Sequence, residues 1–118
     1  MENEFVTYEQ SVALMELGMD TPYFGIYGKE GKQLYKVNGD KFDTVDNIHF
    51  IKAPLKSQVF KFFREKGYDV TIQHNKKYVA IVYSSVKNFS IDEYDTYEEA
   101  ENGAIDKLIE IVKQQDNE

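Results

Sequence analysis

The chain has 118 residues, of which 42% are hydrophobic and 14% aromatic, with nine Tyr, eight Phe, no Cys and a formal net charge of −7. That length buries one continuous core and not two, and so large an apolar share excludes an acidic disordered chain. The lack of cysteine excludes disulfides, thiolate catalysis and cysteine-held zinc, and it fits a reducing compartment.

The chain opens on Glu2 and Glu4, where a secretory leader would carry bases before an apolar run. No segment approaches the ~18 apolar residues that cross a bilayer. The expectation is a soluble, cytoplasmic protein in a single domain over residues 1–118.

Thr7 followed by Gln10 makes a capping box before Val12, Leu14, Met15 and Leu17, and Gly18 supplies a left-handed stop, so a first helix is predicted over 8–17. After Pro22, residues 23–27 (Tyr-Phe-Gly-Ile-Tyr) read as a strand. A turn at 29–32 leads to a second strand over 33–37, and the turn signal Asn38-Gly39-Asp40 precedes a less regular third strand within 42–51.

Pro54 suits the first turn of a helix over 54–66, and Gly67 closes it. Leu55, Val59, Phe62, Phe63 and Lys66 share one face of that helix, with the lysine snorkelling at its end. Alternation at Tyr68, Val70 and Ile72, a polar turn at 74–77 and the apolar run 78–83 predict a hairpin whose second strand is central. A short strand over 89–91 follows.

Thr96 and Glu99 form another capping box, opening a third helix to about residue 114 whose apolar stripe is Ala100, Ala104, Ile105, Leu108, Ile109 and Val112. Gly103 weakens such a helix by ~0.5–1 kcal/mol relative to alanine, so a close contact or a kink is expected there. Residues 115–118 are expected to fray. The order is α-β-β-β-α-β-β-(β)-α with short β–β links. It predicts the α+β class, with one antiparallel sheet of five or six strands and three helices packed mainly on one face.

Charge is segregated along the chain: residues 1–28 hold five acids and no base, 29–87 twelve bases and six acids, and 88–118 two bases and ten acids. The plain reading is mutual neutralisation in the folded chain; the alternative is an interaction surface.

No constellation points to catalysis. His49 and His74 lack ligand partners at metal-binding spacing, and Ser84 and Ser85 lack the glycine flanks of a nucleophile elbow. The glycines between Gly25 and Gly31 read as a hairpin, because no helix N-terminus follows to hold a phosphate. The acids between Asp92 and Glu101 include no glycine to shape a calcium loop and suit the positive end of the third helix. No metal, organic cofactor or enzyme activity is therefore expected.

The most suggestive group is on the second helix, where Lys56, Phe60 and Arg64 fall at i, i+4 and i+8 with Lys61 beside them. Bases interleaved with an aromatic suit an acidic protein or single-stranded nucleic acid. The plain alternative is a half-buried Phe60 on a solvated flank.

Three stretches carry a resemblance: residues 5–10 with Glu16-Leu17-Gly18; Ala53-Pro54 with Gln58, Phe60 and Phe63-Arg64-Glu65-Lys66; and residues 96–101 (Thr-Tyr-Glu-Glu-Ala-Glu) with 107–112 (Lys-Leu-Ile-Glu-Ile-Val). In them the chain resembles a family of small uncharacterised proteins encoded by phages and prophages of gut Bacteroides-type bacteria. The resemblance covers all three helices and not the strands between. In those proteins an aromatic pair brackets the position of Phe60, where this chain has Phe62 and Phe63. It implies a viral or prophage setting in a bacterial host and transfers no catalytic residue.

The expected function is a protein-interaction module with an unidentified host or viral protein as partner, or a further copy of itself, using aromatic surface or an exposed strand edge. It involves no membrane. The alternative is nucleic-acid binding through the second helix, or nucleic-acid mimicry by the third, where Glu98, Asn102, Asp106, Glu110 and Gln114 form an i+4 stripe. With a chain at −7, no affinity for DNA or RNA is expected at about 0.15 M salt, where distant exposed charges are screened.

Overall fold

The structure, a computed structural model, describes residues 4–19, 25–28, 34–36 and 50–116. The chain is α+β, and its contacts divide it into two compact units, Met1–Gln58 and Val59–Glu118.

The first unit begins with α1 (Tyr8–Glu16), whose start is as predicted. The Gln10 N–H donates to the Thr7 hydroxyl at 3.1 Å while the Thr7 N–H donates to the Gln10 side chain at 3.0 Å. Its end is a Schellman motif: Gly18 stands at φ +87°, its N–H reaches the Met15 carbonyl, and the Met19 N–H reaches the Leu14 carbonyl. The strands are β1 (Gly25–Gly28), β2 (Leu34–Lys36) and β3 (Phe50–Ala53), antiparallel in the order β2-β1-β3. Val6, Leu14, Ile26, Ile51 and Ala53 are buried.

Gly25 lies within β1, and a Cβ there would stand 2.7 Å from Phe5 Cε1, so the glycine admits the Phe5 ring. The turn expected at 29–32, the Asn38-Gly39-Asp40 turn, most of the expected third strand and His49 lie outside the described residues.

The second helix is α2 (Lys56–Glu65). It starts two residues later than predicted because the backbone just before it is committed elsewhere. The Pro54 carbonyl accepts from the Val6 N–H at 3.2 Å, and Leu55 bridges antiparallel to Phe5. Its first turn is closed by the Gln58 side chain, which accepts from the Leu55 N–H at 2.9 Å. Gly67, at φ +98°, ends it as expected. Val59 and Phe63 are buried, Phe62 is half-buried, and the Lys66 ammonium lies 5.0 Å from the Phe62 ring centre.

The second unit holds β4 (Tyr68–Asn75), β5 (Lys77–Ser84), β6 (Asn88–Tyr94) and α3 (Tyr97–Asp116). The strands form an antiparallel meander with β5 central, as predicted. Helix α3 packs on all three strands, and its whole predicted stripe, with Ile111 added, is buried, along with Ala80 and Val82 of β5. Each fully buried Ile or Leu of this kind contributes ~1.5–3 kcal/mol.

Two expectations are corrected. The six strands among the described residues do not share one sheet; they divide into two antiparallel sheets of three. Short links fix which strands pair locally, but no local signal states that β3 returns to the free edge of β1 and leaves β4 to begin a new sheet. Strand β6 also runs through Asp92 and Glu93 to Tyr94, past the expected end at residue 91. Both acids are exposed on an edge strand opposite Ala80 and Val79, where cross-strand pairing outweighs their poor strand propensity.

The third helix runs two residues past its expected end near 114, and residues 117–118 lie outside the described residues. Helix α3 continues to Asp116, held where the Tyr68 hydroxyl donates to the Gln115 side-chain oxygen.

Candidate functional site

The group anticipated on the second helix does not assemble as one exposed stripe. Lys56 is only 4% exposed, Phe60 is half-buried, and Lys61 and Arg64 are exposed. Helical spacing lines up Lys56, Phe60 and Arg64, yet that line runs from the buried side at the start of α2 to water at its end. Lys56 is thereby removed from the anticipated interaction surface, and two neighbouring bases, Lys61 and Arg64, remain.

The structure instead gathers aromatic rings at one end of the second sheet. The register pairs His74 of β4 with Tyr78 of β5, and Tyr78 with Tyr94 of β6. Residues directly opposite across antiparallel strands share a face, so one row crosses all three strands. The His74 and Tyr78 rings stack at 4.2 Å with their planes 7° apart. The first residue of α3 continues the row: the Tyr97 ring meets Tyr78 edge-on at 6.0 Å and is 46% exposed. His74 is exposed and Tyr78 half-buried.

Each ring is held by local structure. Lys76 turns the β4–β5 reversal at φ +62°, which sets His74 opposite Tyr78. Thr96 caps α3, its hydroxyl accepting the Glu99 N–H at 3.1 Å and donating to the Glu99 carboxylate at 3.0 Å, and so fixes Tyr97 in the first turn. Tyr94 lies over Gly103 of α3, where any side chain would collide with its phenol.

The surroundings are acidic. Burial, then Asp92 and Asp106, raise the Tyr94 phenol above its ordinary pKa; burial and then Glu101 do the same for Tyr97. Lys77 pairs with Asp95 at 3.4 Å. The arrangement is a half-exposed aromatic platform in a negative field, suited to stacking and cation–π contact.

Among the described residues no three His, Asp or Glu side chains converge as metal ligands would. The expected turn role of His74 is corrected to a strand position with its ring stacked on a neighbour. The sequence signal for the row was the equal spacing of His74 and Tyr78 about Lys76, which makes them cross-strand partners in any tight hairpin there. Tyr94 was missed because its strand was ended three residues short. No family model, curated protein or solved structure matches the chain.

Proposed function

We propose that this chain is a protein-interaction module that acts without catalysis and engages its partner through the row His74, Tyr78 and Tyr97. The carrying observation is the contiguity of the three rings, stacked and edge-on, with the outer two exposed. Aromatic side chains are enriched in protein interfaces because they bring large contact area at little rotamer cost.

Other exposed apolar residues of the second unit favour no such reading. Val86, 85% exposed, is at the β5–β6 turn, and Ile91, 61% exposed, is on edge strand β6. Single exposed apolar side chains are ordinary. The phage or prophage setting rests on the resemblance of the three helices to phage-encoded proteins.

Photo-crosslinking in the cells that carry the gene tests the reading. A photoreactive phenylalanine at position 97 is expected to trap a defined protein, while the same group at exposed Lys113 of α3 traps none. Equal capture at both positions, or capture at 113 alone, contradicts it.

A further inference from the structure

We infer that the partner segment lying on this row is cationic: an arginine- or lysine-bearing stretch of polypeptide whose charged groups rest on the faces of His74, Tyr78 and Tyr97. The inference rests on the row being the interaction surface and adds the chemistry of what it takes. Two observations carry it.

The first is that the outer rings of the row, His74 and Tyr97, are exposed at one end of the sheet, and an aromatic face attracts a guanidinium or ammonium within about 6 Å of its centre. The chain itself uses this contact among the described residues, with Lys66 on Phe62 at 5.0 Å and Lys87 on Phe89 at 4.7 Å.

The second is charge complementarity. Residues 88–106, which supply Tyr94, Tyr97, the whole of β6 and the first half of α3, include seven acids and no base. Asp92, Glu93, Asp95, Glu98 and Glu99 are all exposed. The positive end of α3 is met by Glu98 and Glu99 in its first turn, so the helix terminus does not reverse the sign. The phenol pKa values of Tyr94 and Tyr97 are raised first by burial, and Asp92 and Asp106 at Tyr94 and Glu101 at Tyr97 add to it as negative neighbours. Against this stand Lys76 and Lys77 at the hairpin tip, the latter drawn to Asp95. Lys76, exposed at the tip, repels a cation approaching His74. An acidic or nucleic-acid partner would meet a field of its own sign and be repelled.

The test titrates the full chain with an alternating arginine–glycine peptide, a glutamine–glycine peptide and a leucine–serine peptide, followed by amide and aromatic-ring NMR. The arginine peptide is expected to shift the His74, Tyr78 and Tyr97 ring signals saturably, with binding that weakens as salt rises. Tyr97→Ala is expected to weaken it roughly three- to fivefold at unchanged circular dichroism, the loss of one exposed cation–π contact. Lys76→Glu is expected to strengthen it, and Glu98→Gln to weaken it.

Ring shifts with the leucine peptide and none with the arginine peptide would overturn the cationic partner while leaving the row as the interaction surface. Arginine-peptide shifts confined to the acids of α3, with still rings, would overturn the inference too. Saturation of the same ring signals by raising the protein concentration alone would put a second copy in place of the cationic segment.

Discussion

Gly103 lies directly under the phenol of Tyr94, so that a Cβ at position 103 would stand 2.1 Å from the Tyr94 hydroxyl oxygen. The glycine sits mid-helix, where alanine would be better by up to about 1 kcal/mol on propensity alone. Propensity and packing therefore pull in opposite directions. Gly103→Ala is expected to lower stability by ~1–2 kcal/mol, because the ring must leave its place on α3. In a Tyr94→Ala background the same substitution is expected to be neutral or stabilising. Urea unfolding of the four proteins measures both signs, and destabilisation in both backgrounds would refute the contact.

Tyr94 also predicts an alkaline limit. Its phenol is raised above the ordinary value, mainly by burial, so the unfolded chain loses this proton before the folded one does. The stabilisation is complete below the unfolded pKa near 10 and is lost as pH rises through the higher folded value. Tyr94→Phe is expected to flatten the fall in stability above about pH 10, as read by unfolding midpoints across that range. An unchanged slope would count against it.

These two residues also show what the sequence made legible. A glycine inside an otherwise apolar-striped helix demanded a close contact or a kink, and a close contact is there, but its donor could not be named. Tyr94 belongs to the part of β6 that propensity cut short, since Asp92 and Glu93 read as helix approach and not as strand. The capping box at Thr7, the N-cap at Thr96, the stop at Gly18 and the buried stripe of α3 were legible because each is decided within a few residues. The split into two sheets was not, because pairing partners are chosen at long range. The same limit hid the aromatic row, which exists only through register, and it left Lys56 misjudged as surface.

Lys76 holds a left-handed conformation at φ +62° that costs a lysine ~1–2 kcal/mol and a glycine nothing. Part of that gain is offset by the greater freedom of glycine in the unfolded chain. Lys76→Gly is expected to raise stability by about 0.5–1 kcal/mol, while Lys76→Val lowers it, since a branched side chain fits that conformation poorly. Chemical denaturation of both variants checks the pair.

Nucleic acid offers a separate test. With Lys56 buried and only Lys61 and Arg64 exposed on α2, no continuous basic face is built from the anticipated stripe. Fluorescence anisotropy with labelled single- and double-stranded DNA and RNA at about 0.15 M salt is expected to show no binding. Micromolar binding abolished by a Lys61→Glu, Arg64→Glu double substitution would restore the second helix as a nucleic-acid surface.

The claim that the row is the binding surface comes down to one comparison, the affinity of the partner trapped at position 97 for three proteins measured by calorimetry. Removing an exposed aromatic anchor from an interface typically costs 1–2 kcal/mol or more, about tenfold in affinity. The account predicts at least that loss for Tyr97→Ala, and an affinity within about twofold of the native chain for Lys61→Glu, Arg64→Glu, whose bases lie outside the row. Native affinity in Tyr97→Ala, with binding lost in the α2 variant, would contradict it.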